Sequence, residues 1–177
     1  MIQRILLAGF GGQGILFAGK TLAYAGMDND LQISWLPSYG PEMRGGTCNC
    51  SVIVSDNPIG SPVITAPDIL VAMNKPSLEK FENTVRPGGL IVLDSFLIDK
   101  KVERDDVDVV YIPAKQMAAE AGNDTLGNMI MIGAVLKHRN IIAPEIVHKS
   151  IEEHTPAKRA ALAEINKKMI DMGYNFE

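Results

Sequence analysis

The chain has 177 residues, of which 46% are hydrophobic and 21% charged, which is the composition of an ordinary globular domain. Its net charge of −4 and pI near 5.4, with no long run of Lys or Arg, exclude a protein that tracks a nucleic-acid backbone. The longest uncharged helical stretch, residues 125–136, holds twelve residues against the roughly 20 needed for a membrane span. The apolar run after Met1 is broken at once by glycines, unlike a signal peptide, so a cytoplasmic chain with no membrane partner is expected.

In chain order, residues 2–8 form an apolar strand that runs into Gly9-Phe10-Gly11-Gly12-Gln13-Gly14 and then into a helix of small and apolar residues ending near Gly26. Gly9, Gly11 and Gly14 fit the GxGxxG spacing, which allows a tight turn and close approach of a ligand phosphate to bare backbone at a helix N-terminus. Gly12 adds a fourth glycine, and Gln13 places an amide at the helix mouth. A Walker reading of Gly14 through Gly19-Lys20-Thr21 fails because the helix is already under way there.

A second strand, residues 31–36, ends in Trp35-Leu36-Pro37-Ser38 without the acid that would hold a ribose in a dinucleotide site. No helix follows it. A loop from Ser38 through Tyr39, Gly40, Pro41, Glu42, Met43, Arg44 and Gly45 to Gly46 leads instead into an alternating strand, residues 48–55. A loop this short cannot make a parallel crossover, so the sheet is expected to be mixed. Arg44 could grip a carboxylate or phosphate in fork geometry, or simply neutralise Glu42. Cys48 and Cys50 share one face of this strand, and burial in the core is expected for both rather than a metal site.

Beyond a turn at 56–60, residues 61–65 suggest a short extended piece. Residues 68–73, a helix opened at Pro76-Ser77 and residues 90–94 make a βαβ unit, and residues 109–112 a last strand. Helices are expected at 113–121, 125–137, 144–153 and 156–172; the second is apolar almost all round and therefore buried. His138, His148 and His154 show no spacing suited to a metal site or a nucleophilic arrangement. The expected architecture is a single domain over residues 1–177. It is an α/β, Rossmann-like three-layer fold with a mixed, mostly parallel sheet and a helical C-terminal part.

The two glycine-bearing loops, with Gly127-Asn128 in the buried helix, carry a resemblance. The sequence is similar to the gamma subunits of the 2-oxoacid:ferredoxin oxidoreductases, over nearly its whole length. That resemblance implies a non-autonomous subunit of an enzyme that decarboxylates a 2-oxoacid, passes electrons through iron-sulfur clusters to ferredoxin and hands the acyl group to coenzyme A. It is shared by the pyruvate, 2-oxoglutarate, branched-chain and indolepyruvate enzymes, and 2-oxoglutarate is the expected substrate. It further implies alpha, beta and ferredoxin-like delta partner subunits that carry thiamine diphosphate, Mg and the iron-sulfur clusters, with no cofactor held by this chain alone. The candidate binding residues toward coenzyme A are Gly9, Gly11, Gly12, Gln13, Gly14, Ser38, Tyr39, Gly40, Glu42, Arg44, Gly45 and Gly46; no catalytic or metal residue is assigned. The competing expectation is a free-standing protein that binds NAD or another nucleotide.

Overall fold

The computed structural model describes residues 1–40 and 46–177. Among them six strands form one sheet: β1 (Ile2–Phe10), β2 (Gln32–Tyr39), β3 (Thr47–Ser55), β4 (Ile69–Ala72), β5 (Leu90–Asp94) and β6 (Asp108–Ile112). Their order across the sheet is β2-β3-β1-β4-β5-β6. β3 runs antiparallel to both β2 and β1, whereas β1, β4, β5 and β6 are mutually parallel. The short connection after β2 thus forces the reversal expected of it. The C-terminal ends of β1, β2, β4, β5 and β6 all lie along one edge of the sheet.

β4 and β5 are buried at every residue, as strands covered on both faces must be. On one face Ile5, Leu7, Cys50, Val52, Val71 and Val92 pack against α1 (Ile15–Asp28) and the helices α3 (Ala114–Glu120), α4 (Gly127–Arg139), α5 (Pro144–His154) and α6 (Ala160–Tyr174). On the other, Leu6, Ala8, Leu70 and Leu93 meet Leu78 of α2 (Lys75–Phe81), with Val85 and Ile98. The three layers are unequal. Each fully buried Leu or Ile contributes about 1.5–3 kcal/mol.

Helix α4 is buried from Gly127 to Leu136 because it meets β5 and β6 on one side and α6 on another. α2 opens with Asn74, whose Oδ1 accepts from Ser77 N at 2.8 Å, and has Pro76 in its first turn, where no N–H is needed.

Two local expectations differ. Residues 61–65 form no strand, since Pro62 and Pro67 bracket a segment with no ladder partner. Pro156 does not open α6 directly; a 3₁₀ turn, Ala157–Arg159, precedes it.

Candidate functional site

The site begins where β1 ends. Gln13 N donates to Phe10 O at 3.2 Å, closing the turn. Gly12 and Gly14 take φ of +98° and +73°, a region glycine enters without strain. Gly14 is the N-cap of α1, so the unpaired N–H groups of that helix face the strand-end edge.

The Gln13 side chain is committed within the protein. Its Oε1 accepts from Phe10 N at 2.7 Å, and its Nε2 donates to Met73 O at 2.9 Å. Asn74 Nδ2 approaches the same Oε1 at 3.4 Å. Gln13 therefore ties the glycine loop to the end of β4. A Cβ on Gly9 would stand 2.5 Å from that Oε1, so Gly9 leaves room for the tie.

Across the loop, Asn128 donates its Nδ2 to Gly14 O at 3.0 Å, while its buried Oδ1 has no protein partner. A side chain at Gly14 would collide with this amide. Gly12 differs, because a Cβ there would meet nothing within 4 Å. It borders two crevices: one of about 300 Å³ with Phe10, Gly14, Phe17, Tyr39 and Cys48, and one of about 200 Å³ with Met73, Asp94, Leu97, Lys115 and Gly127.

The structure brings Gly9, Gly11, Gly12, Gln13 and Gly14 together with the described ends of the second loop. Gly11 N donates to Gly46 O at 2.9 Å, and Gly40 N to Thr47 O at 3.2 Å. Ser38 and Tyr39 close β2 and are exposed. Glu42, Arg44 and Gly45 lie outside the described residues.

Asp94, Lys115 and Asn128 border or support this site and are not among the candidate binding residues, although Gly127-Asn128 is one of the marks of the resemblance. Asp94 also carries a signal in the sequence, an acid closing an otherwise apolar strand. Its carboxylate accepts from Phe96 N at 3.0 Å and Lys115 N at 2.9 Å, and burial pushes its pKa up from the ordinary carboxylate value. Lys115 Nζ pairs with Asp124 at 3.1 Å.

Cys48 and Cys50 are buried as expected, and burial pushes the Cys50 thiol up to about 12. Among the described residues no group of three or more His, Cys, Asp or Glu is placed to hold a metal ion, and no helix is long and apolar enough to cross a membrane.

The sheet order weighs against a dinucleotide site. β3 lies between β1 and β2, so the end of β2 stands two strand spacings, about 10 Å, from β1 rather than beside it.

Compared with known proteins, residues 4–176 match the family model described as pyruvate ferredoxin/flavodoxin oxidoreductase. The chain belongs to this family. Among relatives in the oxidoreductase family, the ketoisovalerate oxidoreductase subunit VorA of Methanothermobacter marburgensis is 36% identical over 170 residues, covering 96% of this chain and 35% of that one. The chain thus spans about a third of the length of such relatives. The 2-oxoglutarate synthase subunit KorC of Methanocaldococcus jannaschii is 36% identical over 160 residues, covering 88% of this chain and 85% of its own. In structure, the keto/oxoacid ferredoxin oxidoreductase gamma subunit of Geobacter sulfurreducens superposes with a TM-score of 0.85 at 27% identity, over 98% of this chain and 95% of that one. The 2-oxoglutarate:ferredoxin oxidoreductase of Magnetococcus marinus, solved with 2-oxoglutarate, coenzyme A and succinyl-CoA bound, shares the fold with a TM-score of 0.87 at 24% identity. That match covers 98% of this chain and 30% of the other.

Proposed function

We propose that residues 1–177 form a single domain, the gamma subunit of a 2-oxoacid:ferredoxin oxidoreductase. It acts with alpha, beta and ferredoxin-like delta subunits in the cytoplasm, turning a 2-oxoacid and coenzyme A into an acyl-CoA with reduction of ferredoxin. The observation that carries the reading is the family match over 4–176. Support for 2-oxoglutarate as substrate comes from the KorC relative, whose length this chain nearly spans.

Thiamine diphosphate supplies the decarboxylation chemistry, and iron-sulfur clusters supply the electron path. The residues present do not fit a cluster, because the sequence holds two cysteines, Cys48 and Cys50, against the four that such a cluster takes. The clusters are therefore assigned to partner subunits, and thiamine diphosphate is assigned there as well.

The role of this chain is to shape the approach of coenzyme A. The N-terminus of α1 favours an anion such as a diphosphate, and Gly12 leaves backbone bare between two crevices. Gln13 and Asn128 hold the loop that presents it. Tyr39, Glu42 and Arg44 belong to the second loop, whose end Gly11 joins through Gly46.

The test is reconstitution of the complex with Arg44→Ala, Glu42→Ala or Tyr39→Ala. A raised KM for coenzyme A or weakened assembly is expected, and unchanged values for all three would defeat the assigned site. Turnover of 2-oxoglutarate well above that of pyruvate and 3-methyl-2-oxobutanoate is the expected substrate profile. Micromolar binding of NAD, NADP or ATP by the isolated chain would favour the dinucleotide alternative.

A further inference from the structure

Two lateral strands close the sheet, and they are finished differently. β6 opens with Asp108, paired with Arg139 at 2.9 Å, and its Tyr111 hydroxyl accepts from Val102 N at 3.0 Å, so a charge and a neighbouring segment guard that side. Among the described residues β2 has no such guard. Its eight residues, Gln32–Tyr39, carry no charged side chain, and Trp35 and Leu36 are 38% and 40% exposed. Monomeric proteins rarely leave a long apolar strand in this position, because its backbone is a template for another strand.

The register shows which backbone groups are on offer. Gly40 N donates to Thr47 O at 3.2 Å, and on the other side of β3 Asp56 N donates to Met1 O at 3.1 Å. Bonding and non-bonding pairs alternate along an antiparallel ladder, so the even-numbered residues of β2 bond to β3, while Ile33, Trp35 and Pro37 turn their backbone outward. Pro37 has no N–H to give, and Leu31 N is already bonded to Gly26 O at 3.0 Å. The free stretch is therefore short, centred on Ser34, with Ile33 and Trp35 as its bonding residues.

That pattern is complementary to itself. A two-fold axis beside Ser34, perpendicular to the sheet, sets Ile33 of one copy opposite Trp35 of the other, and each such pair exchanges both backbone bonds. Both side chains lie on the α1 face, Ile33 against Gly26 and Trp35 against Gly19, so a β-branched residue faces an aromatic one on each side of the axis. With no charge along it, the strand offers a charged partner segment nothing to match, and two identical strands meet without repulsion. α1 adds Met27, 58% exposed, beside a groove of about 420 Å³ that Lys20, Tyr24 and Trp35 also line. Taking about 200 Å² for a large side chain, the exposed parts of Met27, Trp35 and Leu36 come to about 270 Å² per copy. With the strand backbone and the half-buried Leu31, Ile33 and Tyr24, two copies bury about 1,000 Å², the lower bound of a specific interface.

We infer that the occupant of this lateral edge is a second copy of the chain, joined by antiparallel β2–β2 pairing about Ser34 into one continuous sheet. The glycine loop, two strands in at the end of β1, takes no part, so the dimer and the subunit reading stand or fall separately.

The experiment is sedimentation equilibrium on the full chain at up to about 100 µM, well above a micromolar dissociation constant. Wild type is expected to approach twice its 19.2 kDa mass. Ser34 faces itself across the axis, so Ser34→Lys and Ser34→Asp each set like charges directly opposite and are expected to weaken the dimer about tenfold or more. Mixing the two variants is expected to restore it, a rescue not available to misfolded chains. A wild-type chain that stays monomeric would overturn the inference, as would dimers that both variants leave intact or a mixture that stays apart. So would protection of the Ile33 and Trp35 amides from hydrogen exchange only when other subunits are added, which would give this edge to a partner subunit.

Discussion

Glycine serves opposite ends in two regions of this molecule. Where α4 crosses α6, a side chain on Gly133 would run into the backbone carbonyl of Ile170, and one on Gly173 into that of Ile130. The missing side chains there are replaced by backbone, and the helices close on each other. At the strand-end edge, Gly12 has open space where its side chain would be. A glycine filled from outside is packing; open space alone also occurs at Gly60, Gly88 and Gly122 in turns and bends, and Gly12 differs from these in standing at a helix mouth between two crevices. What stands opposite each glycine separates the packed ones from the open ones, a distinction that position in a motif does not make.

The largest effect that could break this contrast belongs to the helix crossing. Gly133→Ala has no flexible neighbour to displace and is expected to cost about 3 kcal/mol, at the upper end of overpacking losses. A fall in the urea midpoint at unchanged slope would show it. A midpoint within error of wild type would mean that the crossing is not tight.

Next in size is Gln13→Ala. It leaves Phe10 N and Met73 O without their partner, and a loss of about 1–3 kcal/mol is expected. The same denaturation curve measures it. A neutral result would return the Gln13 amide to the ligand side of the loop.

Gly12→Ala sharpens the contrast from the other side. The positive φ costs about 1–2 kcal/mol, with no steric clash added. In the assembled enzyme the KM for coenzyme A is expected to rise about tenfold, equivalent to 1.4 kcal/mol of binding. Loss of stability with an unchanged KM would make Gly12 a turn residue only.

The smallest effect concerns the far end of α1. Asp28 meets the ring of His154 at 3.1 Å, and that ring stacks on Tyr24 with centroids 4.1 Å apart. The hydroxyl of Ser150, and then His154, holds the Asp28 carboxyl below its usual range. A carboxylate with a lowered folded-state pKa adds stability above its unfolded value, near about 3.9, and loses it as the pH falls through the folded one. Asp28→Asn should therefore lower the melting temperature modestly at pH 7, with the difference from wild type closing as the pH falls below about 4. An unaltered acid limb would remove Asp28 from the account.

Much of this fold is written locally. Glycines punctuate β1 and α1, Pro76 marks the start of α2, and the short connection after β2 forces an antiparallel strand. The placement of β3 between β2 and β1 is not local, because strand order depends on which edges pair across the whole sheet. The glycine loop was legible as a strand-to-helix turn, but the direction of its parts was not. Gln13 could equally face a ligand or the end of β4, and only the contact with Met73, sixty residues on, decides. Asn128 reaches Gly14 across 114 residues, and Asp94 fixes a turn whose exposed ring no periodicity marks. Such contacts arise from packing and leave no short-range pattern.

The central claim is that this chain completes a 2-oxoacid:ferredoxin oxidoreductase. Its most direct test is ferredoxin reduction by the co-expressed complex with 2-oxoglutarate and coenzyme A, measured with this chain present, omitted and added back. The account predicts activity that is lost on omission and restored on addition. Full activity without the chain would contradict it.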